Sequence, residues 1–141
     1  MEENKIANFS DYSENKIINH LFRNSTYTPA TQHFLALFTA STALESNLPT
    51  GEVTGGAYAR ATATFTTATA GTSENGADVT WVEATADWGT ITHLAIVDHL
   101  TNVTWGTNVN VLMWGILTAS KTVSSGDTFK ISSGDLDISV A

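Results

Sequence analysis

Apolar residues recur along this chain with two different periods. Near the start, Ile17, Ile18, Leu21 and Phe22 fall at helical spacing, with Tyr12 one and a half turns earlier. Lys16, Asn19, His20 and Arg23 fill the remaining positions. Ser10 is suited to cap this segment, and Asp11 and Glu14 favour the positive end of a helix. Arg23 sits in the last turn, Asn24-Ser25 ends the run, and Pro29 prevents its resuming. The pattern predicts one helix over residues 10–23, preceded by an arm over 1–9 that orders on contact. Its single apolar stripe is expected to plug one end of the domain, and the alternative is docking against a neighbouring subunit.

The rest of the chain alternates with the period of a strand. The central stretch is a turn at Asp87-Trp88-Gly89 followed by a strand to Asp98. Ile91, His93, Ala95 and Val97 are expected on one face, and Thr92, Leu94, Ile96 and Asp98 on the other. Both sets are largely apolar, as in a strand covered on two sides. Gln32–Thr39 behaves alike, with Phe34, Ala36 and Phe38 opposed to Leu35 and Leu37. Val111–Leu117 is a further apolar strand continuing in β character to Val123, and Gly115 within it marks a bulge or a close backbone approach. Weaker strands are predicted at 57–66, 77–82, 128–132 and 136–140, with loops at 41–56, 67–76 and 99–110. Short strands with Gly- and Asp-containing turns indicate an all-β domain over 10–141, a jelly-roll-like antiparallel β-sandwich with one short N-terminal helix.

Composition narrows the function. The 141 residues suffice for one domain with a core. Charged residues are only 14%, so the polar surface is built from Thr, Ser and Asn, which suits close packing against a partner. Net charge is −8, and the six basic residues are scattered, which argues against a nucleic-acid partner. Cysteine is absent, excluding disulfides and thiolate chemistry. The polar N-terminus lacks the form of a signal peptide, and no apolar run reaches the length of a membrane helix.

Candidate chemistry is sparse. His93, Asp98 and His99 are close in sequence, but alternation puts His93 and Asp98 on opposite faces, and His20 and His33 have no ligand spacing, so no metal site is expected. Glu83 with Asp87, or Asp135 with Asp137, could form a carboxylate pair for glycoside hydrolysis, yet nothing around them suggests a cleft. No nucleophile elbow or phosphate loop is present. No catalytic residue and no cofactor are expected. Trp88, Trp105 and Trp114 could stack on a sugar; Trp114 alternates into a core face, and Trp105, in a polar loop, is the best candidate for an exposed contact. Arg60 is one of two arginines, placed to pair with Glu52 or Asp87.

The order FSDYSENKIINHLFR, FLALFTA, GEVTGGAYAR, ADVTW, ADWGTITHLAIVD and VLMWGILTASKTVSSGDTFKISSGDLDISV resembles a family of small tailed-bacteriophage virion proteins, often described as tail-fibre-like. The resemblance runs from Phe9 to Val140. It is carried by Glu52–Arg60, Trp88–His93 and the SGDTF…SGDLD pair at Ser125–Asp137, and the pattern departs at Trp105–Asn110. It implies a non-enzymatic structural protein located in the virion. Capsid decoration, or cement, is the first expectation, because the chain has no repetitive shaft, heptads or receptor-binding tip. A tail-fibre or baseplate-associated module is the alternative, with a host surface glycan as a possible ligand. The partners implied are the major capsid protein or tail proteins, and further copies of the chain as a homotrimer or other homo-oligomer. Phe9, Tyr12, Leu48, Glu52, Arg60, Trp88 and Trp105 are the residues expected at interfaces.

Overall fold

A computed structural model of the chain describes residues 4–40 and 42–140. Residues 1–3 of the expected arm, Ser41 of the expected loop and Ala141 of the expected domain lie outside the described residues. In order, the elements are β1 (Asn4–Ile6), β2 (Asn8–Phe9), α1 (Asp11–Phe22), β3 (His33–Phe38), β4 (Ala61–Ala63), β5 (Thr72–Glu74), β6 (Val79–Thr80), β7 (Gly89–Val97), β8 (Val111–Val123), β9 (Lys130–Ile131) and β10 (Leu136–Ser139). The chain is a mostly β fold with one short helix, as the alternation implies.

The principal sheet has the order β2-β8-β7-β3-β4 and is antiparallel throughout. A three-stranded sheet, β1-β10-β5, and a ribbon of β6 with β9 lie beside it. One pair departs from the antiparallel pattern: β1 runs parallel to β10, with Asn4 opposite Leu136 and Ile6 opposite Ile138.

The principal sheet buries both faces. Leu35, Leu37, Ile91, Leu94, Ile96, Met113 and Leu117 form the larger core with Ile6, Trp81, Phe129, Ile131 and Leu136 from outside that sheet. On the opposite face, Phe34, Ala36, Phe38, Ala95, Val97 and Val111 pack under Leu44 and Val109, with Trp105 and Trp114 at the margin. The two faces expected of β3 are therefore the two faces seen. In β7 the expected faces hold only from His93 onward. Ile91 shares the larger core with Leu94 and Ile96, because the register slips at Thr92, which opposes the stretch between Ile116 and Lys121. Such a bulge bends its strand and reassigns faces on either side of it. A second slip, between Ile96 and Val97, brings Leu112 onto the same core as Met113.

Residues 4–9 are not a free arm. β1 and β2 belong to different sheets, so the backbone crosses between the layers at Ala7. The Ile6 side chain is buried, and Asn4 N–H donates to the Asp135 carbonyl over 2.7 Å. The crossing explains Gly115. A Cβ there would lie 2.8 Å from the Lys5 carbonyl oxygen, so only glycine lets β1 pass this close. Asn4 Oδ1 accepts a 3.1 Å bond from Thr118 N–H inside the bulged stretch of β8. β5 falls within a predicted polar loop. Its sequence, Thr-Ser-Glu, has no apolar alternation to reveal it, and it is held by backbone pairing with β10.

Candidate assembly surface

The Glu52–Arg60 motif builds a clamp inside the subunit. Gly56 has φ +55°, and a Cβ there would sit 2.8 Å from Trp88 Nε1, so glycine is required for the turn into the motif. The Trp88 indole donates to the Gly56 carbonyl at 2.9 Å and meets the Tyr58 ring edge-on, centroids 5.4 Å apart. Tyr58 hydroxyl donates to Glu52 Oε1 at 3.0 Å and accepts from Leu37 N–H at 2.9 Å. Burial first, and then the Glu52 carboxylate, push the Tyr58 phenol far above its ordinary range.

Arg60 is 6% exposed and makes a two-pronged bond with Glu52, Nε to Oε1 at 2.7 Å and Nη2 to Oε2 at 2.8 Å. Its Nη1 donates to the His99 and Asn102 carbonyls at 2.7 and 2.9 Å. Those carbonyls converge because His99 Nδ1 accepts from the N–H groups of Thr101 and Asn102. The guanidinium also lies 4.9 Å from the Trp105 ring centroid. One arginine thus fixes the loop after β7. Of the two acids the sequence offered it, Glu52 is the partner.

A second network anchors α1. Ser10 caps the helix, its Oγ accepting from Ser13 N–H at 3.3 Å and donating to the Val111 carbonyl. Asp11 N–H donates to the Glu45 carbonyl at 2.8 Å. Asn47 Oδ1 accepts from Val111 N–H at 2.7 Å, its Nδ2 donates to Asn110 Oδ1 at 2.8 Å, and Asn110 Nδ2 donates to Asp98 Oδ2 at 2.8 Å. The helix is therefore held by its N-terminal end. At the other end Asn24 takes a left-handed conformation and Ser25 N–H returns to the Asn19 carbonyl.

What α1 does with its apolar stripe corrects the plug expected from periodicity. Ser13 is the only residue of the helix that is buried. Ile17 is 36% exposed, Ile18 53%, Leu21 65% and Phe22 79%. These four, at i, i+1, i+4 and i+5, form one contiguous apolar face that no element among the described residues covers. Beside them a groove of about 330 Å³ runs between the helix and the sheet, lined by Phe9, Ile17, Leu21, Tyr27, Pro29 and Leu112. The helix is anchored through Ser10 and Asp11, while the side chains of its later turns stay exposed.

The residues expected at interfaces divide accordingly. Phe9 and Tyr12 are half-buried beside this surface, Phe9 in the groove and Tyr12 with Lys16 Nζ 5.2 Å from its ring. Burial raises the phenols of Tyr12 and Tyr27, which face each other. Leu48 is exposed, in a loop packed near Gly106. Arg60 and Trp88 are inside the subunit, Glu52 is turned to Arg60, and Trp105 is half-buried between Phe38 and Arg60. The expected contact roles of Glu52, Arg60 and Trp88 are thus taken up within the chain. The exposed positions of the α1 face were legible as a stripe but not as a surface, since a period tells which residues share a side and not what covers it.

A search of curated proteins finds no match. A family model described as podophage GP4 fiber I protein gp80 matches residues 8–139, a span that includes α1, the clamp and the whole principal sheet. The chain belongs to that podophage fibre family and is a phage structural protein.

Proposed function

We propose that this chain is a non-catalytic component of the virion's tail fibres, held in place by burial of the α1 face against its neighbours. The family match carries this reading, and it supports the tail-fibre alternative over capsid decoration. The exposed Ile17, Ile18, Leu21 and Phe22 support the mode of attachment, because a helix presenting four large apolar side chains gains most from a second surface that covers them. The Arg60 clamp supports a rigid carrier, in which loops are fixed by buried polar contacts before assembly.

The test is copy number per particle by quantitative mass spectrometry against the major capsid protein, with antibody labelling to locate the subunit. A few copies per particle, labelled at the tail, is the expected result. A copy number near that of the capsid protein, labelled over the shell, returns the chain to capsid decoration.

A further inference from the structure

The loop between β7 and β8 begins with a turn closed on one ring nitrogen. His99 Nδ1 accepts from Thr101 N–H at 3.2 Å and from Asn102 N–H at 2.9 Å. A nitrogen that accepts carries no hydrogen, so the neutral ring keeps its proton on Nε2. A second proton goes to Nδ1 and turns that acceptor into a donor facing two N–H groups. The side chain is exposed, so it meets the proton concentration of the solvent directly. We propose that His99 is a proton-operated latch: the neutral imidazole holds this loop closed, and the imidazolium releases it.

The contacts of that turn set what release does. It brings the His99 and Asn102 carbonyls together, and Arg60 Nη1 donates to both, at 2.7 and 2.9 Å. The guanidinium lies 4.9 Å from the Trp105 ring centroid, and Trp105 packs on the buried Phe38 at the margin of the second core. When the turn opens, its carbonyls leave Arg60, and Trp105, farther along the same loop, is freed from the guanidinium. The charged groups around the ring give the imidazolium no partner. Arg60 is a like charge, and its own partner, Glu52, is engaged by Arg60 Nε and Nη2. Asp98, which precedes His99, has both oxygens on Asn110, taking its N–H at 2.7 Å and its Nδ2 at 2.8 Å. Ala30, Thr31, Gln32 and Phe34, which share a small cavity with His99, carry no charge. Among the described residues no carboxylate pairs with the ring.

The experiment is fluorine NMR of the full chain carrying 5-fluorotryptophan, with the Trp105 signal assigned by its loss in Trp105→Phe. Spectra are compared at about pH 7.5 and about pH 5, between which histidine side chains change charge. The expected result is a reversible shift of the Trp105 signal, at the lower pH, toward its position in the unfolded chain. Two substitutions separate the latch from a merely structural histidine. In His99→Asn, Oδ1 stands one bond beyond Cγ, as Nδ1 does, and accepts from the same N–H groups without titrating. The Trp105 signal is expected to keep its neutral-pH position at both pH values. His99→Phe fills the place of the ring and accepts nothing, so the signal is expected at the acid position at both. A pH shift that survives His99→Asn overturns the proposal, because it belongs to another group. So does a closed loop in His99→Phe, which shows that the turn does not need the imidazole. A wild-type Trp105 signal that does not move, or a nitrogen-15 spectrum that puts the hydrogen of the neutral ring on Nδ1, overturns it as well.

Discussion

At the scale of single residues, buried polar groups rather than exposed ones shape this protein. Arg60 satisfies a carboxylate and two carbonyls from a position almost without solvent, so its planar fork matters more than its charge. Arg60→Lys keeps the charge and loses most of that geometry. It is expected to lower unfolding free energy by about 2–4 kcal/mol in urea titration, and a change under 1 kcal/mol means that the clamp is softer than its bond lengths imply. His93 gives a pH prediction. Burial holds its imidazole below the ordinary histidine range, beside Thr92 Oγ1 at 2.7 Å. Below about pH 6.5 the unfolded chain therefore binds more protons than the folded one, so this residue's contribution is intact above that value and lost as pH falls through the lowered pKa. His93→Gln is expected to flatten the fall in melting temperature between about pH 6.5 and 5, and an unchanged slope assigns that fall to other groups.

At the scale of elements, what could be read from sequence depended on which interaction sets the element. The helix was legible from Ser10, Asp11 and Glu14, because a cap is a local event, and α1 begins one residue after Ser10. β3 and β7 were legible because both of their faces are apolar. The slip at Thr92 was not, since the residues on either side of it are equally suited to either core. Tyr58 and Arg60 fell within the strand expected at 57–66, with Arg60 also placed to pair with Glu52 or Asp87; in the structure both belong to the clamp with Glu52, and β4 is left with three residues. The parallel strand β1 was hidden because Asn-Lys-Ile is too short to show a period, whereas Gly115 announced the close approach without naming the visitor. Gly115→Ala tests that contact. The added methyl meets the Lys5 carbonyl, so stability is expected to fall by about 1–3 kcal/mol, with faster amide exchange in β1 and none of the change reaching α1. Unaltered exchange at Ile6 means that β8 yields instead of β1.

At the scale of the molecule, β7 and β3 lie inside the principal sheet, hydrogen-bonded on both edges and packed on both faces. Their amides are expected to exchange only through global unfolding, while β5, β6 and the last turn of α1 open earlier; native-state hydrogen exchange reads this order directly. The parallel pair of β1 with β10 has a different consequence, in time rather than energy. During synthesis β1 and β2 are made well before their partners, β10 and β8. Contacts of such long sequence range form late and slowly. The helix between or beside these strands is therefore translated early but cannot be anchored through Ser10 until Val111 exists. A chain interrupted before β8 has no seat for α1, so truncated products lack the anchored helix on which the proposed attachment depends.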